Sequence, residues 1–386
     1  MKTPARTLSR LPRLSRAAAA LLGASALAAQ AQPAPAPGVN LYGLVDAGLE
    51  VVSNVNGRGS LTRMPSNTGT LPSRVGVRGS EDLGGGLRGV FTLEMGFAPD
   101  QGTSGQGGRL FGRQSYVGLA GPWGSVTLGR QYSMLYWSVF DADVIGPAVY
   151  AMGSLDAYVP NARADNSVAY RGTFGGWNVG AQYSTGRDTV NAGPSPVGTN
   201  CPGESGADSK ACRQWSAMAK YDSAGWGMAL AYDNQNGRTT AGPTDVVFGN
   251  LNSSSKSDSR LSANGYVKLG SVKVGGGLMR RDNEGDAVKP RSDLWYLGAS
   301  YPITPALTLD GQWLTLRYKG ADDYDATLLA ARLAYSLSKR TALYAQVGHI
   351  RNDRLSAVSV SGGAAGSNPA AGGSQSGVNL GIRHSF

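Results

Sequence analysis

The chain has 386 residues, including 56 glycines and 17 tyrosines, with 36 basic against 26 acidic side chains and a formal charge of +10. Past the N-terminus no run approaches the ~18 consecutive apolar residues of a transmembrane helix, so any membrane role must run through a β-barrel. Glycine and tyrosine suit short strands and tight turns, and no module interleaving Lys/Arg with aromatics supports nucleic acid as a partner.

The first segment, residues 1–31, reads as a secretory signal. Lys2, Arg6, Arg10, Arg13 and Arg16 form a positive region, Ala17 to Ala29 an apolar core, and Ala29-Gln30-Ala31 a cleavage site. Its removal leaves a single domain, 32–386, with no internal linker. Five basic residues leave with it, so the mature chain holds 31 basic against 26 acidic residues, a charge of +5.

From Val39 the chain alternates apolar and polar residues in short runs. Val39 to Val52, Ser73 to Gly79 and Leu87 to Phe97 come first; Arg74, Gly76 and Arg78 share one face, and Glu81 to Gly86 makes a tight turn. Arg109 to Leu119, Ser125 to Tyr132, Asn166 to Arg171 and Trp177 to Ser184 follow. Next are Gln214 to Tyr221, Trp226 to Tyr232, Arg260 to Leu269 and Val272 to Arg281. Asp293 to Ser300, Ala306 to Lys319, Thr327 to Ser336, Thr341 to His349 and a last run from Val378 to Phe386 make sixteen.

One hairpin of this kind fits a soluble sandwich as well. The connections decide, because short turns alternate with long Gly/Ser/Asn-rich loops, as they do when one end of a barrel faces the periplasm and the other the exterior. Trp177, Trp226, Trp295 and Trp313, with Tyr183 and Tyr232, are expected at strand ends, forming an interfacial girdle. The fold class is therefore all-β, a sixteen-stranded antiparallel transmembrane β-barrel. Cys201 and Cys212 share a Pro/Gly/Ser-rich loop; after export they close a disulfide, or else remain two surface thiols.

Leu41-Tyr-Gly-Leu-Val-Asp-Ala-Gly48, the stretch from Ser73 to Leu87, Phe111-Gly-Arg-Gln-Ser-Tyr-Val-Gly-Leu119 and Gly121-Pro-Trp-Gly-Ser-Val-Thr-Leu-Gly-Arg-Gln-Tyr132 resemble the general porins of Gram-negative outer membranes, their betaproteobacterial branch above all. The resemblance spans essentially the whole mature chain. It implies a homotrimer of water-filled barrels, each narrowed by an inward-folded third loop, here Ser133 to about Asp165. That loop carries Asp141, Asp143, Asp156 and Asp165. Asp141 and Asp143 are expected at the pore, facing wall arginines Arg74, Arg113 and Arg163, with Arg78 a weaker fourth member. Arg113 is placed there because it shares the face of Ser115. Arg163 is placed by the spacing that the family uses before a strand. Arg130 has the parity of Val126 and Leu128 and is expected away from the lumen. The loop tip departs from a Pro-Glu-Phe-Gly-Gly pattern seen in some porins, with Val144-Ile-Gly-Pro-Ala-Val149 in its place.

The resemblance also implies that the terminal aromatic strand, ending at Phe386, is recognised by the barrel-assembly machinery. Lipid and lipopolysaccharide are the expected surroundings. His349 and His384 both fall inside strands, so no His-dependent catalytic set or metal site is expected, and no cofactor. The Gly84-Gly85-Gly86 and Gly275-Gly276-Gly277 runs lack the Gly-Lys-Ser/Thr ending of a phosphate loop. The expected function is passive diffusion of small hydrophilic solutes and ions, with a mild anion preference. A substrate-specific channel on the same barrel is the alternative; a surface adhesin would show a short repeat, and none is visible.

Overall fold

The computed structural model describes residues 38–187, 201, 203–239 and 251–386, so the signal segment 1–31 lies outside the described residues. Sixteen strands close into one antiparallel barrel. They are β1 Gly38–Val55, β2 Arg74–Gly84, β3 Leu87–Ala98, β4 Gln114–Gly121, β5 Gly124–Tyr132, β6 Arg163–Phe174, β7 Trp177–Arg187 and β8 Gln214–Asp222. The second half is β9 Trp226–Asn236, β10 Ser257–Leu269, β11 Val272–Asn283, β12 Arg291–Pro302, β13 Leu307–Tyr318, β14 Ala326–Ser336, β15 Thr341–Asn352 and β16 Gln375–Ser385. Two short strands, Gly59–Arg63 and Thr103–Ser104, belong to loops and fold back on β1 and β3.

Closure runs through β1. Its first half pairs with β2, from Gly38 opposite Ser80 to Leu44 opposite Arg74; its second half pairs with β16, from Leu44 opposite Ser385 to Val52 opposite Gly377. The terminal Phe386 exchanges two backbone hydrogen bonds with Gly43, each 3.1 Å. Gly43 has to be small there, since a Cβ would meet the Phe386 ring at 2.2 Å.

The pleat separates polarity as a bilayer requires. On β16, Val378, Leu380 and Ile382 are 46%, 57% and 47% exposed while Asn379 between them is fully buried. The connections alternate in length. At one end turns of two to four residues join the strands; at the other, loops run from seven residues (284–290, 319–325) to thirty (133–162).

Some expected boundaries move. The first tight turn needs only Gly85 and Gly86, both at positive φ, because β2 continues to Gly84 across a bulge. The fourth strand begins at Gln114, not Arg109: the chain arrives from a coil with Gln106 and Gly107 in left-handed conformations and enters the ladder only where Gln114 meets Glu94. The sixth begins at Arg163, where a bulge with Asn166 at φ 49° extends the pairing. Arg163 and Asp165 therefore belong to a strand, and the third loop ends at Ala162.

Trp177 and Trp226 sit at strand ends, ring centroids 5.2 Å from Tyr221 on either side. Trp295 and Trp313 do not; they lie in mid-strand, facing outward. At the long-loop end the girdle instead includes Trp215, 4.9 Å from Tyr232 and paired across the ladder with Tyr183.

On β12 to β14 the inner face is itself apolar. Leu294, Tyr296, Leu314, Leu316 and Leu328 point inward and are buried, while Trp295, Leu297, Trp313 and Leu329 point outward. These inner side chains meet Leu135, Val139, Ile145, Val149, Met152 and Val159 of the third loop in one hydrophobic cluster. The loop, not water, is what this part of the wall faces.

Candidate functional site

The third loop crosses the lumen and is fastened on its far sides. Its helix, Met134–Val139, begins where the Met134 N–H donates to Ser216 Oγ at 2.9 Å. Asp141 forms an ion pair with Lys220 of β8. Arg332 of β14 donates to the carbonyls of Ile145 and Val144, at 2.8 and 3.3 Å. The Val149 N–H reaches the Gly69 carbonyl, 2.8 Å, and Asp156 pairs with Arg260 of β10 at 2.8 Å. Tethers on several strands leave the loop little freedom to swing out.

What remains open is a cavity of about 290 Å³ between the loop and the wall. Arg74, Arg113, Lys273, Arg332 and Arg383 line it, against the carboxylates Glu94, Asp143 and Asp310. Five cations face three carboxylates, an excess of two positive charges. Two of the carboxylates are clamped: Arg332 pairs with Asp310 at 2.7 Å, and Glu94 accepts from Arg113 Nε at 2.8 Å and from Tyr42 Oη at 3.0 Å. Arg74 Nε stands 3.6 Å from the other side of Glu94 and keeps 24% of its side chain exposed, against 5% for Arg113. Asp143 receives the Gly146 N–H at 3.0 Å. Burial nevertheless pushes its carboxyl above the usual range; that hydrogen bond and the Arg332 charge only partly oppose the shift.

A second cavity, of about 480 Å³, opens toward the short turns. Arg78, Arg88, Arg171 and Lys220 line it, and among the described residues no carboxylate does. Gln114, Tyr132 and Trp137 line both cavities, so they form the passage between them.

Of the residues expected at the pore, the structure brings Arg74, Arg113 and Asp143 to the first cavity and Arg78 to the second. Arg113 reaches the lumen for a reason other than the one given. Its neighbours on the parity of Ser115, Val117 and Leu119, face outward, and Arg113 turns in only because it precedes the strand. Two residues stand elsewhere. Arg163 is fully buried, its guanidinium 4.8 Å from the Tyr132 ring and bonded to Tyr132 Oη and Asn161 Oδ1, and it lines neither cavity. Asp141 is taken up by Lys220. Arg130 also lines neither, pairing with Asp165 at 2.6 Å.

Sequence reasoning passed over Lys273, Arg332, Arg383, Glu94 and Asp310. Their strand parity was available, but which inward charge meets open lumen depends on where the loop lies. It also passed over the aromatic face of the loop. Tyr132 and Tyr136 stack at 3.7 Å, and Trp137 and Phe140 stand edge-on to Tyr136 at 5.4 and 4.5 Å. Away from the lumen, Cys201 and Cys212 are joined in a disulfide.

Comparison with known proteins places this architecture. The profile of a Gram-negative porin family matches residues 17–355. Outer membrane porin protein 32 of Delftia acidovorans is 29% identical over 95% of this chain and 99% of its own. An outer membrane porin of Bordetella pertussis is 31% identical over 87% of this chain and 93% of its own. Among solved structures, an anion-selective porin from Comamonas acidovorans superimposes with a TM-score of 0.72 at 24% identity, covering 90% of this chain and 99% of that one. The trimer form of OmpT from Vibrio cholerae does so at 0.59 and 15%, covering 91% and 100%.

Proposed function

The chain belongs to the Gram-negative porin family and is an integral β-barrel of the outer membrane, and from this we propose that its diffusion channel for small hydrophilic solutes prefers anions. The observation that carries this is the charge on the water path: nine cations against three carboxylates over the two cavities, an excess that holds with Lys220 set aside as paired to Asp141 and Asp222. A solute crossing a narrow, low-dielectric passage feels these charges strongly, so anions enter at less cost than cations. The anion-selective porin that superimposes on the chain points the same way.

The assembly we propose is a homotrimer. Its support is a division of the outer surface. The large exposed apolar side chains of β1, β4, β5 and β16, such as Leu41, Val117, Leu128 and Leu380, are all aliphatic, whereas the exposed tryptophans of strands lie between β7 and β13. An aliphatic sector packs against another barrel; the tryptophan-bearing sector meets lipid and lipopolysaccharide at headgroup level. We further propose that residues 1–31 are cleaved as a signal peptide from a barrel domain of 32–386, and that the strand ending at Phe386 addresses the chain to the assembly machinery. Arg74, Arg113 and Asp143 are the proposed constriction residues, joined by Arg332 and Arg383.

Reversal potentials across a planar bilayer under a potassium chloride gradient test the preference. Chloride should carry most of the current; a potassium majority would overturn it. Conductance in a size series of uncharged sugars then gives the exclusion limit.

A further inference from the structure

The third loop puts aromatic rings where a purely electrostatic constriction would need none. Of the helix Met134–Val139 and its next residue, Leu135 and Val139 are buried and line neither cavity, while the half-buried Trp137 and Phe140, with the buried Tyr136 beside them, line the first cavity. Leaving apolar ring surface on water costs free energy that polar residues would avoid. Trp137 also lines the second cavity, so a solute moving from one to the other passes its ring.

Cations flank that ring. The Arg171 guanidinium stands 4.2 Å from the Trp137 ring centroid on the short-turn side, while Arg74, Lys273 and Arg383 line the first cavity. Arg171, Lys273 and Arg383 form no ion pair among the described residues, and all three are partly exposed. Their charges are available to a solute.

We propose that this constriction favours planar aromatic carboxylates over aliphatic carboxylates of the same charge. The inference rests on the anion-preferring reading above and names the class of anion. The ring of such a solute stacks or stands edge-on against Trp137, the ring that lines both cavities, while its carboxylate takes a guanidinium fork. An aliphatic anion finds the fork without the ring contact; an aromatic cation finds the ring but is repelled. The first cavity, at about 290 Å³, has room for a single aromatic ring and its carboxylate. Cations in both cavities, Arg74 and Arg383 in the first and Arg171 and Arg78 in the second, let the carboxylate move from one to the next, so that binding speeds passage rather than trapping the solute.

The test uses the purified protein in planar bilayers, with chloride current interrupted by added benzoate, cyclohexanecarboxylate or acetate. Benzoate should interrupt the current at concentrations roughly two- to tenfold below cyclohexanecarboxylate, the factor one aromatic pair contributes. Trp137→Phe should keep that margin and Trp137→Ala should erase it, with potassium chloride conductance verifying that each variant has inserted. Equal potency of benzoate and cyclohexanecarboxylate on the unmodified protein overturns the proposal without needing any variant, as does a margin that survives Trp137→Ala. A channel that carries chloride yet ignores the ring sinks this inference alone; a channel that carries potassium sinks the anion reading as well.

Discussion

Arg74→Ser is the sharpest test of how the lumen sorts charge. Arg74 lines the first cavity with a quarter of its side chain in water; it donates to the Pro72 carbonyl at 3.0 Å and makes only a long contact, 3.6 Å, to Glu94. Removing it lowers the excess charge there from two to one without stranding a buried partner, because Arg113 still holds Glu94. An anion about 5 Å from a guanidinium in water gains ~0.8 kcal/mol, which 0.1 M salt screens to ~0.5. Losing this makes anions ~2.3-fold rarer in the constriction and cations ~2.3-fold commoner, so the chloride-to-potassium permeability ratio should fall about fivefold. Reversal potential under a salt gradient reads that ratio directly. Arg113→Ser is not an equivalent test. It leaves the buried Glu94 carboxylate without its closest cation, at a cost of about 3–5 kcal/mol, and the expected result is less folded protein. An unchanged reversal potential in Arg74→Ser would refute the charge-excess account.

Lowering the pH should strengthen anion preference early: with its carboxyl pushed up by burial, Asp143 takes its proton before ordinary carboxylates do, and the cavity loses a negative charge. Reversal potentials between about pH 7 and pH 4 check this; Asp143→Asn should remove the early part, and a shift toward cations on acidification would contradict it. Gly43→Val forces the Phe386 ring off its strand at a cost of about 1–3 kcal/mol, so the folded, heat-modifiable fraction in outer membranes should drop. Deleting Phe386 removes both hydrogen bonds to Gly43 and should impair insertion more than the conductance of molecules that do insert; normal insertion levels would count against both. Replacing Cys201 and Cys212 by serine should leave single-channel conductance unchanged, since neither lines the lumen, and make the loop easier to cleave by protease. Alkylation before and after reduction, read by mass, should label the two cysteines of the unmodified protein only after reduction.

The strand count and the alternation of short and long connections were legible because both follow from local rules: a period of two, glycine at positive φ, polar loop composition. Errors came where one local rule had to hold across an irregularity. Arg109 to Arg113 runs into the following strand without a turn signal, but the coil at 105–108 keeps it out of the ladder. Asn166 starts a run that in fact begins at Arg163, because a bulge carries the pairing across it. Trp295 and Trp313 were expected at strand ends, yet they stand in mid-strand beside inward-facing Leu294 and Leu314. The loss of alternation along Leu294-Trp-Tyr-Leu297 was itself a signal: a strand apolar on both faces has lipid on one side and something apolar on the other.

That second apolar surface is the third loop, and it explains why the charges of the constriction were harder to read than the fold. Parity tells which side chains point inward; it does not tell which of them the loop covers. Asp141 and Asp143 are two residues apart on one loop, yet the first is spent on Lys220 and the second meets the water path. Arg163 and Arg332 are both inward-side arginines, yet one is sealed under Tyr132 and the other spans wall and loop at the cavity edge. The loop's placement is fixed by contacts with β8, β10, β13 and β14, far away in sequence. It follows that a change in the loop's apolar anchors should alter selectivity without touching a charge. Leu314→Ala removes a fully buried contact of the loop, at a cost of about 2–5 kcal/mol. If the loop then loosens, Asp143 and the aromatic face move away from Arg74, and both the chloride preference and the sugar size limit should change together. A size limit that shifts while the reversal potential stays fixed would mean that the wall alone sets the charge preference.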